Sequence, residues 1–216
     1  VEPAVPENIG AAARAMKTMG FDRLLLVNPC NYLDGPARWL AHASTEILDN
    51  ATVFHSLKEA VEDFDFVIGT TAKKRSVKND YYPLNKLHNI LKAKGSSVKK
   101  AALVFGREES GLRNDELKLC NIVSTVPLKT ITPSLNLAQA VMLYAWELSR
   151  QAEQDISTDM PQNDDSLKVL LGKVKLVLIN VGFSENSLIY SRFLERISVL
   201  GKNDIHLIHS FCNKLL

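Results

Sequence analysis

The sequence predicts an α/β fold, a doubly wound and mostly parallel sheet followed by a small helical extension. Three observations carry this. Short apolar runs are continuous rather than alternating, as in parallel strands covered on both faces. Four segments of small, polar and basic residues each fall where such a run ends: Asn8 to Arg14, Thr70-Thr71-Ala72-Lys73, Gly106 to Leu112, and Pro133 to Leu137. Open α/β sheets collect ligand sites at the carboxyl ends of strands, so these segments should converge on one crevice. Finally, a polar, acidic stretch over 151–166 separates this region from three further helical patterns.

In chain order, Val1-Glu2-Pro3 reads as the tail of a strand that starts before Val1. A helix should run from an Asn8 cap to Met19, with Gly20 as its stop. Ile9, Ala12, Ala13 and Met16 share its buried face, while Gly10, Arg14 and Lys17 form a separate basic one. Strands are expected at 24–27, 64–68, 101–105 and 122–126, with a minor one at 53–54. Helices are expected at 36–42, 56–62, 84–94 and 114–120. Residues 135–150 are apolar on nearly every side through Leu148, as in a helix buried in a core or a subunit interface. Helices over 167–181, 187–200 and 204–216 complete the chain. The expected division is an α/β domain over 1–154, a linker over 155–166 and a helical extension over 167–216.

The 216 residues suit one such domain of about 150 residues with an appendage. Three widely spaced cysteines, without a CxxC pair, argue against a disulfide framework or zinc knuckle. No apolar run approaches the roughly 20 residues that span a bilayer, and no signal-peptide pattern opens the chain. A soluble, cytoplasmic protein without a membrane partner is expected. The net charge of +2 is too small to argue for nucleic acid by itself. Local clustering carries that case: Lys73, Lys74, Arg75 and Lys78, followed by Tyr81 and Tyr82, suit phosphate contact and base stacking. Lys92, Lys94, Lys99 and Lys100 read as a solubilising helix end.

Gly106 and Gly111 have P-loop spacing, but Leu112-Arg113 replaces the Lys-Ser/Thr that holds phosphate and magnesium, and Glu108 and Glu109 would repel a triphosphate. No GxGxxG opens a helix after a strand, which argues against a dinucleotide fold. An acidic loop tolerates a cationic ligand such as a sulfonium. His206 and His209 lack a third ligand, so no metal site is expected. Ser134 lacks a GxSxG elbow, against a hydrolase.

Three motifs in order resemble motifs 1, 2 and 3 of the SPOUT RNA methyltransferases, in the SpoU/TrmH branch and on its TrmJ-like and LasT-like side. They are Asn8-x-Gly10-x-x-x-Arg14, Phe105-Gly106-Arg107-Glu108-x-x-Gly111-Leu112, and Pro133-Ser134-Leu135-Asn136-Leu137-Ala138-x-Ala140-Val141. The resemblance spans residues 1–150. It implies a sheet whose C-terminal part forms a trefoil knot, a rare exception to the rules of chain topology. It also implies a homodimer in which motif 1 of one subunit completes the other's site. S-adenosylmethionine is then expected against Thr70, Thr71 and Ala72, against Phe105, Gly106 and Arg107, and against Val126, Pro127, Leu128, Ser134, Leu135 and Asn136.

The implied reaction is methylation of a ribose 2′-hydroxyl in tRNA or rRNA, with Arg14, Asn8, Ser134 and Glu108 as catalytic residues. A guanidinium resists deprotonation, so Arg14 is read as stabilising charge and orienting phosphate rather than as a base. Asn8 also reads as a helix cap, Ser134 as the cap of the helix after it, and Asn136 as a support of the knot loop. Glu108 binds RNA or cofactor, or holds Arg14 or Arg107. Lys17, Lys73, Lys74, Arg75 and Lys78 are the expected RNA contacts. Base-nitrogen methylation on the same fold and a noncatalytic RNA-binding role are the alternatives.

Overall fold

The structure, a computed structural model, describes residues 1–129, 134–149 and 166–216. The chain enters through α1 (Pro6–Thr18), β1 (Leu25–Val27), α2 (Pro36–Ala41), α3 (Thr45–Asp49), β2 (Thr52–Phe54) and α4 (Leu57–Val61). Next come β3 (Phe66–Thr70), β4 (Tyr81–Pro83), α5 (Leu87–Lys94), β5 (Ala101–Val104), α6 (Asn114–Leu119), β6 (Ile122–Thr125) and α7 (Leu137–Ser149). The extension consists of α8 (Leu167–Asn180), α9 (Leu188–Ile197) and α10 (Lys202–Cys212). Pro133, Arg150 and the linker expected at 155–166 lie outside the described residues, except Ser166, whose hydroxyl caps α8 by accepting from the Val169 N–H.

Four strands pair in the order β4-β6-β3-β5, all parallel, and β1 pairs with β2, also parallel. Val1–Pro3 runs between the two sheets. Val1 N donates to Phe105 O at 2.8 Å, Glu2 N to Val27 O at 2.7 Å, and Cys30 N to Pro3 O at 3.0 Å. The segment nevertheless forms no strand of its own, and Glu2 lies at φ 45°.

Strand β3 is buried on both faces, as its unbroken apolar run requires. Phe66 and Ile68 enter a cluster with Leu87 and Tyr144 that also contains Leu167, Leu170 and Val174 of α8. Val67 faces Leu57, Leu117 and Val123 on the other side. The helical extension therefore shares the sheet's main core. Two glycines permit close approach: a Cβ on Gly10 would lie 2.0 Å from Ala37 O of α2, and one on Gly69 would lie 2.8 Å from Cys120 Sγ.

Several expectations need correction. Helix α1 starts at Pro6, with Val5 as its cap, so Asn8 lies inside the helix. Gly10 packs on α2 instead of contributing to a basic face. Helix α7 starts two residues late, and its cap is Asn136 rather than Ser134: Asn136 Oδ1 accepts from Ala138 N at 2.9 Å, and Gln139 Oε1 accepts from Asn136 N at 3.2 Å. Strand β3 is displaced toward its carboxyl end, to Phe66–Thr70. Helix α3 and strand β4 were not anticipated. Tyr81 and Tyr82 belong to β4, and their rings pack against core clusters instead of standing free for base stacking. Lys94 is fully buried, with Nζ donating to Ser198 O at 2.5 Å and Leu200 O at 2.6 Å, so it pins the extension rather than solubilising a helix end.

Candidate active site

Register brings the strand-end segments together. Gly69 lies opposite Val104 and Thr70 opposite Ser124, so Thr70–Ala72, Phe105–Arg107 and Val126–Leu128 emerge side by side from adjacent parallel strands. Thr70 Oγ1 donates to Val104 O at 2.9 Å, and Thr71 N to Ser124 O at 3.0 Å, locking these ends. The Phe105 ring meets Tyr144 edge-on at 5.5 Å, and its carbonyl accepts from Val1 N at 2.8 Å.

Glu108 stands at the junction of the three motifs. Its carboxylate accepts from Asn8 Nδ2 at 3.0 Å, Ala4 N at 3.1 Å and Val5 N at 3.3 Å. Asn8 Oδ1 in turn accepts from Asn136 Nδ2 at 2.8 Å. Partial burial pushes the Glu108 carboxyl up, but the Asn8 amide and the backbone N–H groups of Ala4, Glu108 and Val5 together outweigh it and hold it below the ordinary value. Asn8, Glu108 and Asn136, drawn from three distant segments, are therefore one network.

Arg107 turns away from the crevice. Nε donates to Glu2 Oε2 at 2.8 Å, while Nη1 and Nη2 grip both oxygens of Glu116 at 3.0 and 2.9 Å. These bonds raise the guanidinium's pKa. Burial pushes the Glu116 carboxyl up, but Arg107 and the Arg113 N–H outweigh it and hold it low. The Arg107 side chain is thus committed to Glu2 and Glu116 and is not free for the cofactor contact expected of it. Gly106 makes the loop possible, because a Cβ there would lie 2.1 Å from Gly111 C, and Gly111 sits at φ +67°. Glu116 was missed in the sequence; its position three residues after Arg113, at the start of α6, was the available signal.

Arg14 is exposed and makes no side-chain hydrogen bond or ion pair among the described residues. Six residues along a helix turn through about 240°, so Arg14 and Asn8 leave α1 on different faces. The structure does not bring Arg14 to this network. Ser134 is exposed and Leu135 half-buried; Val126 packs against the main core, while Pro127 and Leu128 are exposed.

The expected RNA contacts divide. Lys73 and Lys74 are exposed. Arg75 Nη2 donates to Ser110 O at 2.9 Å, and Lys78 Nζ donates inward to Cys120 O at 2.8 Å. Burial lowers the Lys78 pKa. Lys17 is committed to Ala43 O and Glu46. Lys78 and Lys17 thus hold structure instead of offering free cations. A cavity of about 450 Å³ between β1 and β5 is lined mostly by apolar groups, including Leu26, Leu57, Leu103 and Val141. Its lining also includes Asn8, Phe105 and Leu137, one residue from each motif segment.

Residues 1–146 match the SpoU rRNA Methylase family, and residues 164–216 match the C-terminal domain of the tRNA/rRNA methyltransferase LasT. The chain is 39% identical over 209 residues to the uncharacterized tRNA/rRNA methyltransferase LasT of Escherichia coli (strain K12), covering 97% of this chain and 92% of that protein. It is 36% identical to the tRNA (cytidine/uridine-2′-O-)-methyltransferase TrmJ of Pectobacterium atrosepticum, over 77% of this chain and 68% of the relative. The crystal structure of TrmJ from Z. mobilis ZM4 superposes with a TM-score of 0.67 at 30% identity, covering 99% of this chain and 96% of that one.

Proposed function

We propose, from the premise that the chain belongs to the SpoU rRNA methylase family and is an S-adenosylmethionine-dependent RNA ribose 2′-O-methyltransferase, that its acceptor is a tRNA bound by a homodimer in the cytoplasm. The observation that carries the site assignment is the Asn8–Glu108–Asn136 network at the carboxyl ends of the parallel strands.

The residues fit a sulfonium ligand. Thr70–Ala72, Phe105-Gly106 and Val126–Leu128 contain no cationic side chain, and the one guanidinium of the motif 2 turn, Arg107, is withdrawn onto Glu2 and Glu116. The ionised Glu108 sets a negative local potential. S-adenosylmethionine, when bound there, supplies a methyl group already activated on sulfur. The chain's own task is to place the ribose oxygen in line behind that carbon and to stabilise negative charge as its proton leaves. Ser134 is assigned to contact with the ribose or the cofactor, and Asn136 caps the start of α7.

Arg14 is assigned to the partner subunit's acceptor, which its exposure and its separation from Asn8 support. The dimer reading is supported by apolar side chains left exposed on α7, where Trp146 is 50% exposed beside Met142 and Leu143, and on α2, where Trp39 is 75% exposed. The trefoil knot belongs to the same reading. Lys73, Lys74 and Arg75 are assigned to RNA phosphates.

Incubation with labelled S-adenosylmethionine and either tRNA or rRNA tests this. The expected result is label in tRNA as alkali-resistant 2′-O-methyl nucleotides. Label only on bases, or tRNA binding without transfer, would replace this reading with base methylation or a noncatalytic factor. Label confined to rRNA would move the acceptor.

A further inference from the structure

On the reading that the loop between β3 and β4 contacts RNA, we propose that Arg192 of α9 is a positioning residue for that loop. Residues 71–80 contain four cations, Lys73, Lys74, Arg75 and Lys78, and one acid, Asp80. Arg192 grips that acid as a fork, with Nη1 donating to Oδ2 at 2.8 Å and Nη2 to Oδ1 at 3.3 Å. Arg196 Nη1 approaches Asp80 Oδ2 at 3.4 Å, and Asn79 Nδ2 donates to Glu195 Oε2 at 3.4 Å. One turn of α9 therefore holds the last two residues of the loop. Asp80 and Arg192 are each less than one-third exposed, so this pair is shielded better than an ordinary surface ion pair.

The remaining tethers are on the sheet side. Arg75 N donates to the Tyr81 hydroxyl at 2.6 Å, that hydroxyl donates to Arg75 O at 2.5 Å, and Lys78 Nζ reaches Cys120 O at 2.8 Å. With both sides held, Lys73 and Lys74 remain exposed directly after the strand end at Thr70. Without Arg192, the Asp80 carboxylate keeps only the longer contact to the exposed Arg196 and becomes an intraloop competitor for the cations that phosphates need. Docking of the extension does not depend on this contact. Lys94 already pins Ser198 and Leu200, and Leu167, Leu170 and Val174 already share the sheet's core. Arg192 thus gives the C-terminal helices a task in substrate binding: they set the geometry of a loop that belongs to the α/β domain.

The test varies tRNA and S-adenosylmethionine separately in wild type, Arg192→Ala, Asp80→Ala, the double variant and Arg192→Lys, with filter binding of tRNA to each. Each alanine variant should weaken tRNA binding and raise the KM for tRNA about tenfold, leaving the KM for S-adenosylmethionine within about twofold. The double variant should be no worse than either single, because the pair acts as a unit. Arg192→Lys, which keeps the charge without the fork, should fall between, and it carries the test if Arg192→Ala does not fold. Unchanged tRNA affinity in Arg192→Ala or Arg192→Lys, or additive losses in the double variant, would overturn the proposal. Filter binding reads the loop even without turnover, so a wild type that binds tRNA but leaves ribose unmethylated counts against the functional reading alone.

Discussion

Asn136 Nδ2 donates to Asn8 Oδ1 at 2.8 Å, joining residues 128 positions apart. The same Asn136 caps α7 through Oδ1, so one side chain both starts a helix and reaches another motif. Substitution separates these roles. Asn136→Asp keeps the cap acceptor but loses the amide donor toward Asn8, whereas Asn136→Ala loses both. In urea unfolding, Asn136→Asp should stay near wild type and Asn136→Ala should lose about 1 kcal/mol. Both should lose methyl transfer about a hundredfold if the network positions the acceptor. Full activity in Asn136→Asp would show that the link to Asn8 is dispensable.

Acid sensitivity follows from Glu108 and Glu116, whose carboxyls are both held below the ordinary 4.5 by hydrogen bonds that exist only in the fold. A depressed folded pKa contributes stability that is fully present above the unfolded value and is lost as pH falls through the folded one. Stability should therefore be flat in these groups above about pH 5 and decline below about 4.5. Glu108→Gln should flatten that decline. An acid limb of the same slope in wild type and Glu108→Gln, followed by thermal melting, would remove Glu108 from the account.

Arg107 is a stability residue in this structure. Its side chain neutralises Glu116, which is 5% exposed, so Arg107→Met would leave that buried carboxylate with the half-exposed Arg113 guanidinium, at 3.1 Å, as its remaining cation. Breaking one partner of such a pair costs about 3 kcal/mol. Adding Glu116→Gln should recover most of that loss, because the buried charge is then gone. Denaturant midpoints of the two variants decide it. A Met variant as stable as wild type, but with weakened S-adenosylmethionine binding, would return Arg107 to the cofactor.

Much of this was legible in the sequence because it is local. Continuous apolar runs marked β1, β3, β5 and β6 to within two residues, and the strand-end segments named three loops that the register places side by side. Strand β4 was not legible. Tyr81-Tyr82-Pro83 is short, follows a cationic loop and ends in proline, and it becomes a strand only through its pairing with β6. Partner choice across the chain was equally hidden. Residue type shows that Glu108, Arg107 and Asp80 are charged, but Asn8, Glu116 and Arg192 become their partners only after folding. Helix boundaries erred where a side chain caps from an unexpected position, as Asn136 does for α7.

Arg14 offers a test that distinguishes a residue acting in its own subunit from one acting across a dimer. It is exposed and makes no side-chain bond among the described residues, so Arg14→Ala should leave the melting temperature unchanged. If its guanidinium stabilises charge on the acceptor, the rate should fall on the order of a hundredfold or more. Glu108→Ala disables the network in the same subunit as its own Asn8. A mixed dimer of the two variants then contains one site that combines an intact Glu108 with an intact Arg14 from the other chain. Its second site lacks both. Random reassociation of equal amounts should restore roughly a quarter of wild-type activity, since half the dimers are mixed and each has one working site. An arginine serving its own subunit predicts no restoration, because each site in the mixed dimer then carries one lesion. Refolding the variants together and measuring methyl transfer separates the two outcomes.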